Sequence, residues 1–175
     1  MKKFIFLDID GVINSGSWAK YCFDNQYEHP ELDPECDPKA VAELNRIIDN
    51  TGAEIVLSSS WRFGDIENIE KFGIHNWNGK TIDTNIYENR TSCIARGAII
   101  HKYLTKLKFD RELSPDERFD SFVHPEHWIN YVILDDDCDM LVTQINNFVQ
   151  TNSFEGLTSR LADAAIEILN RSVKS

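Results

Sequence analysis

An apolar run, Lys3-Phe4-Ile5-Phe6-Leu7, breaks off into Asp8-Ile9-Asp10-Gly11-Val12-Ile13-Asn14. No other stretch constrains the chain as tightly. A near-continuous apolar run of this length reads as a strand buried on both faces, the kind found in parallel sheets. Ligands gather beyond the carboxyl ends of such strands. Two carboxylates spaced i, i+2 at that end repel each other and resist desolvation unless a cation or a proton compensates. The bland alternative is a strand running into an Asp-Gly turn, and this stretch alone does not choose between them.

The same pattern recurs. Ala53-Glu54-Ile55-Val56-Leu57 runs into Ser58-Ser59-Ser60-Trp61-Arg62, and Trp128-Ile129-Asn130-Tyr131-Val132-Ile133-Leu134 runs into Asp135-Asp136-Asp137. Between the first two runs, Asp37-Pro38 has the form of a helix start, with Asp as the cap and Pro in the first turn. Ala40, Val41, Leu44, Ile47 and Ile48 then recur at helical spacing until Thr51-Gly52. Strand, helix, strand over this distance predicts a right-handed parallel βαβ unit, with both carboxyl ends on one sheet edge. Further helices are expected from Ser92 to Leu107, with Arg96 in the first turns, from Met140 to Asn147, and over about 158–170. A short strand is expected from Asn147 to Thr151. Residues 15–36 and 63–91 read as loop insertions, with a helix from Asp65 to Phe72 as an option, and 108–127 as a charged loop. The alternation predicts a single α/β domain built on a doubly wound, Rossmann-like parallel sheet with minimal or no cap.

Composition narrows the function. At 175 residues the chain is long enough for one sizeable core. A net charge of −11 argues against a surface that grips extended duplex nucleic acid. Cys22, Cys36, Cys93 and Cys138 are widely spaced with no CxxC pair, so reduced thiols are expected rather than a zinc ribbon or disulfides. No apolar run is long enough for a membrane span. Asp8 and Asp10 interrupt the apolar run behind Lys2 and Lys3, which reads as a strand, not a signal peptide. A cytoplasmic protein is expected.

Three chemically compatible strand ends on one edge say more than one. Oxygen-only carboxylate ligands favour a hard cation such as Mg²⁺. A carboxylate beside it can attack phosphorus, and a second acid can protonate the leaving oxygen and then activate water. Hydroxyls and backbone N–H groups at the neighbouring strand end can hold phosphoryl oxygens, with a Lys or Arg at a helix start balancing charge. Trp18, Tyr21, Trp61 and Trp77 are aromatics that either stack on a base or pack in the core. His124-Pro125-Glu126-His127 reads as a surface loop, and Cys138 as a small packed residue.

This set resembles the haloacid dehalogenase (HAD) superfamily of phosphotransferases. Asp8-Ile9-Asp10-Gly11-Val12-Ile13-Asn14 is similar to its first motif, which implies Asp8 as nucleophile, Asp10 as general acid/base with its carbonyl on Mg²⁺, and Gly11 beside the phosphate. Leu57-Ser58-Ser59-Ser60-Trp61-Arg62 resembles the second motif. It implies a phosphate-binding hydroxyl at Ser59, with Ser58 the second choice of register, and Ser60 and Arg62 as further substrate contacts. Ile133-Leu134-Asp135-Asp136-Asp137-Cys138-Asp139 resembles the fourth motif. Asp8, Asp10, Asp135 and Asp136 are then the implied metal set, with Asp139 behind them. The third-motif cation maps to Arg96, with Lys102 as the fallback. Ser-Ser-Ser-Trp-Arg, Ile-Leu-Asp-Asp-Asp-Cys-Asp-Met, and Gln150-Thr151-Asn152 followed by Gly156-Leu157-Thr158 more narrowly resemble the small HAD domains of Swiss Army Knife RNA-repair proteins. That resemblance implies a Mg²⁺-dependent phosphatase working through an aspartyl-phosphate, with nucleotides and RNA or DNA ends as candidate substrates. Two rival readings are a catalytically inactive HAD-like scaffold and a receiver-like phospho-accepting module. The order Asp-x-Asp, Ser, Asp-Asp fits a receiver poorly.

Overall fold

The structure is a computed structural model and describes residues 1–25, 36–63, 71–82, 94–109 and 129–171. The apolar runs form β1 (Lys2–Leu7), β2 (Glu54–Leu57) and β3 (Ile129–Asp135), and a short β4 (Phe148–Gln150) follows. All pair in parallel, in the order β2-β1-β3-β4. Residues 80–82 fringe the outer edge of β2, with Leu57 bonded to Lys80 and Ile82 through the backbone. The chain leaves β1 for β2 on one side and returns to β3 on the other. That reversal opens a crevice beyond the carboxyl ends of β1 and β3.

Both sheet faces are buried, as continuous apolar strands require. One face presents Ile5, Leu7, Ile55, Leu57, Val132 and Leu134 to two helices. These are α2 (Pro38–Thr51) and α4 (Ser159–Asn170), which pack on each other. The other face presents Phe4, Phe6, Val56 and Ile133 to Ile99, Ile100 and Leu104 of α3 (Arg96–Phe109). Phe6 sits edge-on between Tyr103 and Tyr131, at centroid distances of 5.6 and 5.8 Å.

Asp37 caps α2 by accepting from Lys39 N at 2.8 Å, and Gly52 ends it in the left-handed conformation, φ 66°. Thr158 precedes α4 as its cap residue. Arg96 is the first residue of α3, and Val142–Asn147 forms a 3₁₀ helix.

One expected loop is partly helical. Gly16–Asp24 forms α1, capped by Ser15 Oγ accepting from Trp18 N at 3.3 Å. None of its residues is buried, so it lacks the apolar stripe that periodicity detects. Residues 26–35 of that insertion lie outside the described residues. So do most of the optional helix at 65–72, the HxxH motif, Cys93, and all but the first two residues of the 108–127 loop. Cys22 and Cys138 are free thiols, and Cys138 is exposed rather than packed. No helix among the described residues is long and apolar enough to cross a membrane.

Candidate active site

Strand alternation explains how the site assembles. Phe4 and Phe6 face α3, so Asp8, the next residue in that period-2 series, is carried to the same face. Val56 and Ile133 also face α3, so Ser58 and Asp135 continue onto it. Register then sets them side by side, because Leu7 pairs with both Leu57 and Leu134. The ladder runs one step past the strands, with Ser58 N donating to Leu7 O at 2.8 Å and Asp8 N to Leu134 O at 2.9 Å.

Carboxylate oxygens of Asp8, Asp135 and Asp136 lie within 4.8 Å of one another. Asp8 is 4% and Asp135 0% exposed. Among the described residues one cation answers them: Arg96 Nη1 lies 2.8 Å from both Asp8 Oδ2 and Asp135 Oδ2. Burial pushes the Asp135 carboxyl up to about 7; Arg96 pulls it back, and the Asp8 charge adds to the rise. Asp136 is raised by desolvation and then by Asp8. Desolvation pulls the Arg96 guanidinium down, but Asp8 and Asp135 outweigh it and the net shift is upward. Among the described residues, three crowded carboxylates share one guanidinium and remain short of positive charge. An oxygen-only set of this kind fits a hard divalent cation such as Mg²⁺.

Arginine in the first turn opposes the helix dipole. The acidic loop after β3 offsets this. Asp139 Oδ2 accepts from Arg96 N at 2.7 Å, and Asp139 O from Gly97 N at 3.3 Å. Buried Gln144 locks the junction, donating to Gly97 O at 2.9 Å and accepting from Leu141 N at 2.9 Å. A Cβ on Gly97 would sit 2.5 Å from Leu141 N and 2.8 Å from Met140 Cα. Gly97→Ala gains up to about 1 kcal/mol of helix propensity. Overpacking against backbone costs about 1–3 kcal/mol, so the clash dominates. Urea denaturation is expected to show a lower midpoint for Gly97→Ala, and an unchanged or higher one would contradict this packing.

Asp10 stands apart from the cluster. Its carboxylate is exposed and accepts from Asn14 Nδ2 at 2.7 Å and Trp61 Nε1 at 3.0 Å. Gly11, at φ 68°, turns the chain so that Asp136 can approach. A Cβ there would lie 2.4 Å from Asp136 Oδ2. Thr151 Oγ1 donates to Gly11 O at 2.8 Å, and Leu157 N to Val12 O at 2.8 Å, so the late loop buttresses the first turn.

The serine loop is divided. Ser58 Oγ is buried with no hydrogen-bond partner among the described residues. Ser59, also buried, accepts from Trp61 N at 3.3 Å through its hydroxyl. Ser60 is exposed at the start of a 3₁₀ turn, Ser60–Phe63. Arg62 is 6% exposed, and its Nη1 donates to the carbonyls of Ser58 and Ser59. It folds back onto its own loop. Lys102 is exposed further along α3. Trp77 packs against the core of the α2 and α4 face. Trp18 and Tyr21 stack at 5.5 Å on α1 and line an open cavity of about 460 Å³, which no carboxylate of the cluster lines. Sequence reasoning did not identify Asn14, Gln144 or Thr151 as parts of the site. Asn14 carried a signal in its place within the first Asp-x-Asp stretch and Thr151 in the Gln150-Thr151-Asn152 stretch, whereas Gln144 carried none.

A family model described as the HAD domain in Swiss Army Knife RNA repair proteins matches residues 4–162. No curated protein and no solved structure matches the chain.

Proposed function

This chain belongs to the family of HAD domains in Swiss Army Knife RNA repair proteins, and from that premise we propose that it is a phosphomonoesterase acting on nucleotides or polynucleotide ends. The observation that carries the reading is Arg96 Nη1 held 2.8 Å from both Asp8 and Asp135 at the topological switch point. In this reading Asp8 attacks phosphorus while the bond to the ester oxygen breaks, and Asp10 delivers a proton to that oxygen. Water then attacks the phospho-aspartyl group, Asp10 takes its proton, and inorganic phosphate leaves with Asp8 restored. Ser58 is our choice for the phosphate-binding hydroxyl. Its register beside Asp8 and its buried, unpartnered Oγ support this. Arg96 balances charge on the transferring group. Asp8, Asp135 and Asp136 would hold Mg²⁺, with the Asp10 carbonyl as a fourth donor, and the ion would neutralise phosphoryl charge. The test is release of phosphate from p-nitrophenyl phosphate, mononucleotides and 3′- and 5′-phosphorylated oligonucleotides, with Mg²⁺ and with EDTA. Absence of turnover on every ester would favour a binding scaffold.

The Asp135 shift gives a pH prediction. In the metal-free protein its folded value, about 7, lies above the ordinary 3.8. Between those values the folded chain keeps a proton that the unfolded chain has released. Stability therefore falls as pH rises from about 4 to about 7 on account of this group. Mg²⁺ requires the ionised form. Calorimetric titration at pH 6 in buffers of differing ionisation enthalpy is expected to show proton release approaching one per ion, fading by pH 8. Equal, near-zero release at both pH values would contradict the assignment of Asp135 as a ligand.

A further inference from the structure

Trp61 joins two parts of the site that the reading above uses separately. Its backbone N–H donates to Ser59 Oγ at 3.3 Å, and its indole Nε1–H donates to Asp10 Oδ2 at 3.0 Å. The ring is half-buried, packs against the core, and meets Phe72 edge-on at 5.9 Å. The indole is therefore fixed from behind, with its polar edge turned to the sheet edge. Asn14 Nδ2 holds the other Asp10 oxygen at 2.7 Å and is itself anchored by Gly11 N donating to Asn14 Oδ1 at 3.0 Å. Two neutral donors from two different segments thus grip an exposed carboxylate by both oxygens.

Hydrogen bonds to an exposed carboxylate add little to folding stability, because water competes for the same lone pairs. Such bonds do restrict orientation. A proton donor acts only within hydrogen-bond reach of the leaving oxygen, and a freely rotating exposed aspartate spends little time there. We propose that Trp61 is a positioning residue, holding the Asp10 carboxyl group in the plane from which it transfers its proton. The inference rests on the phosphatase reading. It adds a residue that makes no contact with the phosphate and acts through Asp10.

Leaving-group dependence tests it. Trp61→Phe keeps an aromatic ring against Phe72 and removes the N–H. A p-nitrophenolate leaves without being protonated, whereas an alkoxide does not. Trp61→Phe is therefore expected to lower kcat/KM about tenfold for a nucleoside monophosphate and less than twofold for p-nitrophenyl phosphate. Equal losses on both esters, or no loss on either, would overturn the positioning role while leaving the phosphatase reading intact. A wild-type protein that turns over neither ester would overturn that reading and the role with it. A second measurement does not depend on turnover. Among the indole N–H resonances of the four tryptophans, the one missing in Trp61→Phe is expected to move upfield in Asp10→Ala. An unmoved resonance would show that the bond to Asp10 does not form in solution.

Discussion

Asp8→Asn is expected to abolish phosphate release, with kcat falling at least about 10³-fold on every phosphoester the wild type hydrolyses. Loss of a nucleophile removes the covalent route outright, and residual turnover reflects only binding and preorganised charge. The substitution is nearly isosteric, so the fold is expected to survive. It does two opposing things to stability. It weakens the contact between Arg96 Nη1 and Asp8 Oδ2, and it removes the negative charge that helps raise both Asp135 and Asp136. With Asp135 fully buried, relief of that repulsion offsets the weakened contact. The metal-free variant should melt at or above the wild-type temperature near pH 8. An inactive protein of undiminished stability separates a chemical role from a structural one. Turnover at the wild-type level would sink the nucleophile assignment.

How far the sequence alone reached depends on the kind of signal each residue left. The three main strands were legible because parallel strands buried on two faces leave uninterrupted apolar runs, and their polar ends mark the sheet edge. The helices that cover the sheet, α2 and α4 on one face and α3 on the other, were legible because a buried face imposes a 3.6-residue period. Helix α1 covers nothing and left only a cap, Ser15, as a trace. The face on which Ser58 lies was recoverable in principle. Val56 faces α3, and alternation then carries Ser58, not Ser59, to the face that holds Asp8. Applying that rule required knowing which sheet face carries the site, and only the packing supplies this. Asp139 was placed behind the metal set by the resemblance to the fourth motif; its bond to Arg96 N is a long-range contact that a local motif does not encode. Gln144 gave no signal, since a buried glutamine bridging Gly97 O and Leu141 N reads in sequence as a polar surface residue.

The second large effect is expected at Arg96. A single nitrogen, Nη1, makes both contacts, to Asp8 and to Asp135. Arg96→Met keeps most of the side-chain volume and leaves those carboxylates without their cation. Removing one partner of a mostly buried charge pair costs about 3 kcal/mol, and removing a preorganised charge aimed at the transition state costs about 10²–10³ in kcat. The stability loss should depend on pH in a stated direction. Below about pH 6 Asp135 holds a proton in the wild type and has little charge for Arg96 to answer. The difference between wild type and Arg96→Met should therefore widen as pH rises through 7, and Mg²⁺ should narrow it by supplying the missing charge. Thermal melts at pH 5.5 and pH 8, with and without Mg²⁺, measure this directly. Arg96→Lys discriminates charge from shape. Because one donor atom serves both carboxylates, an ammonium can replace it in charge, although its side chain is shorter and its hydration stronger. About a tenfold loss of kcat is expected, well short of that for Arg96→Met. If Arg96→Met keeps kcat within a factor of about two, the transferring group draws its cation from elsewhere, and Lys102→Met becomes the variant that decides it.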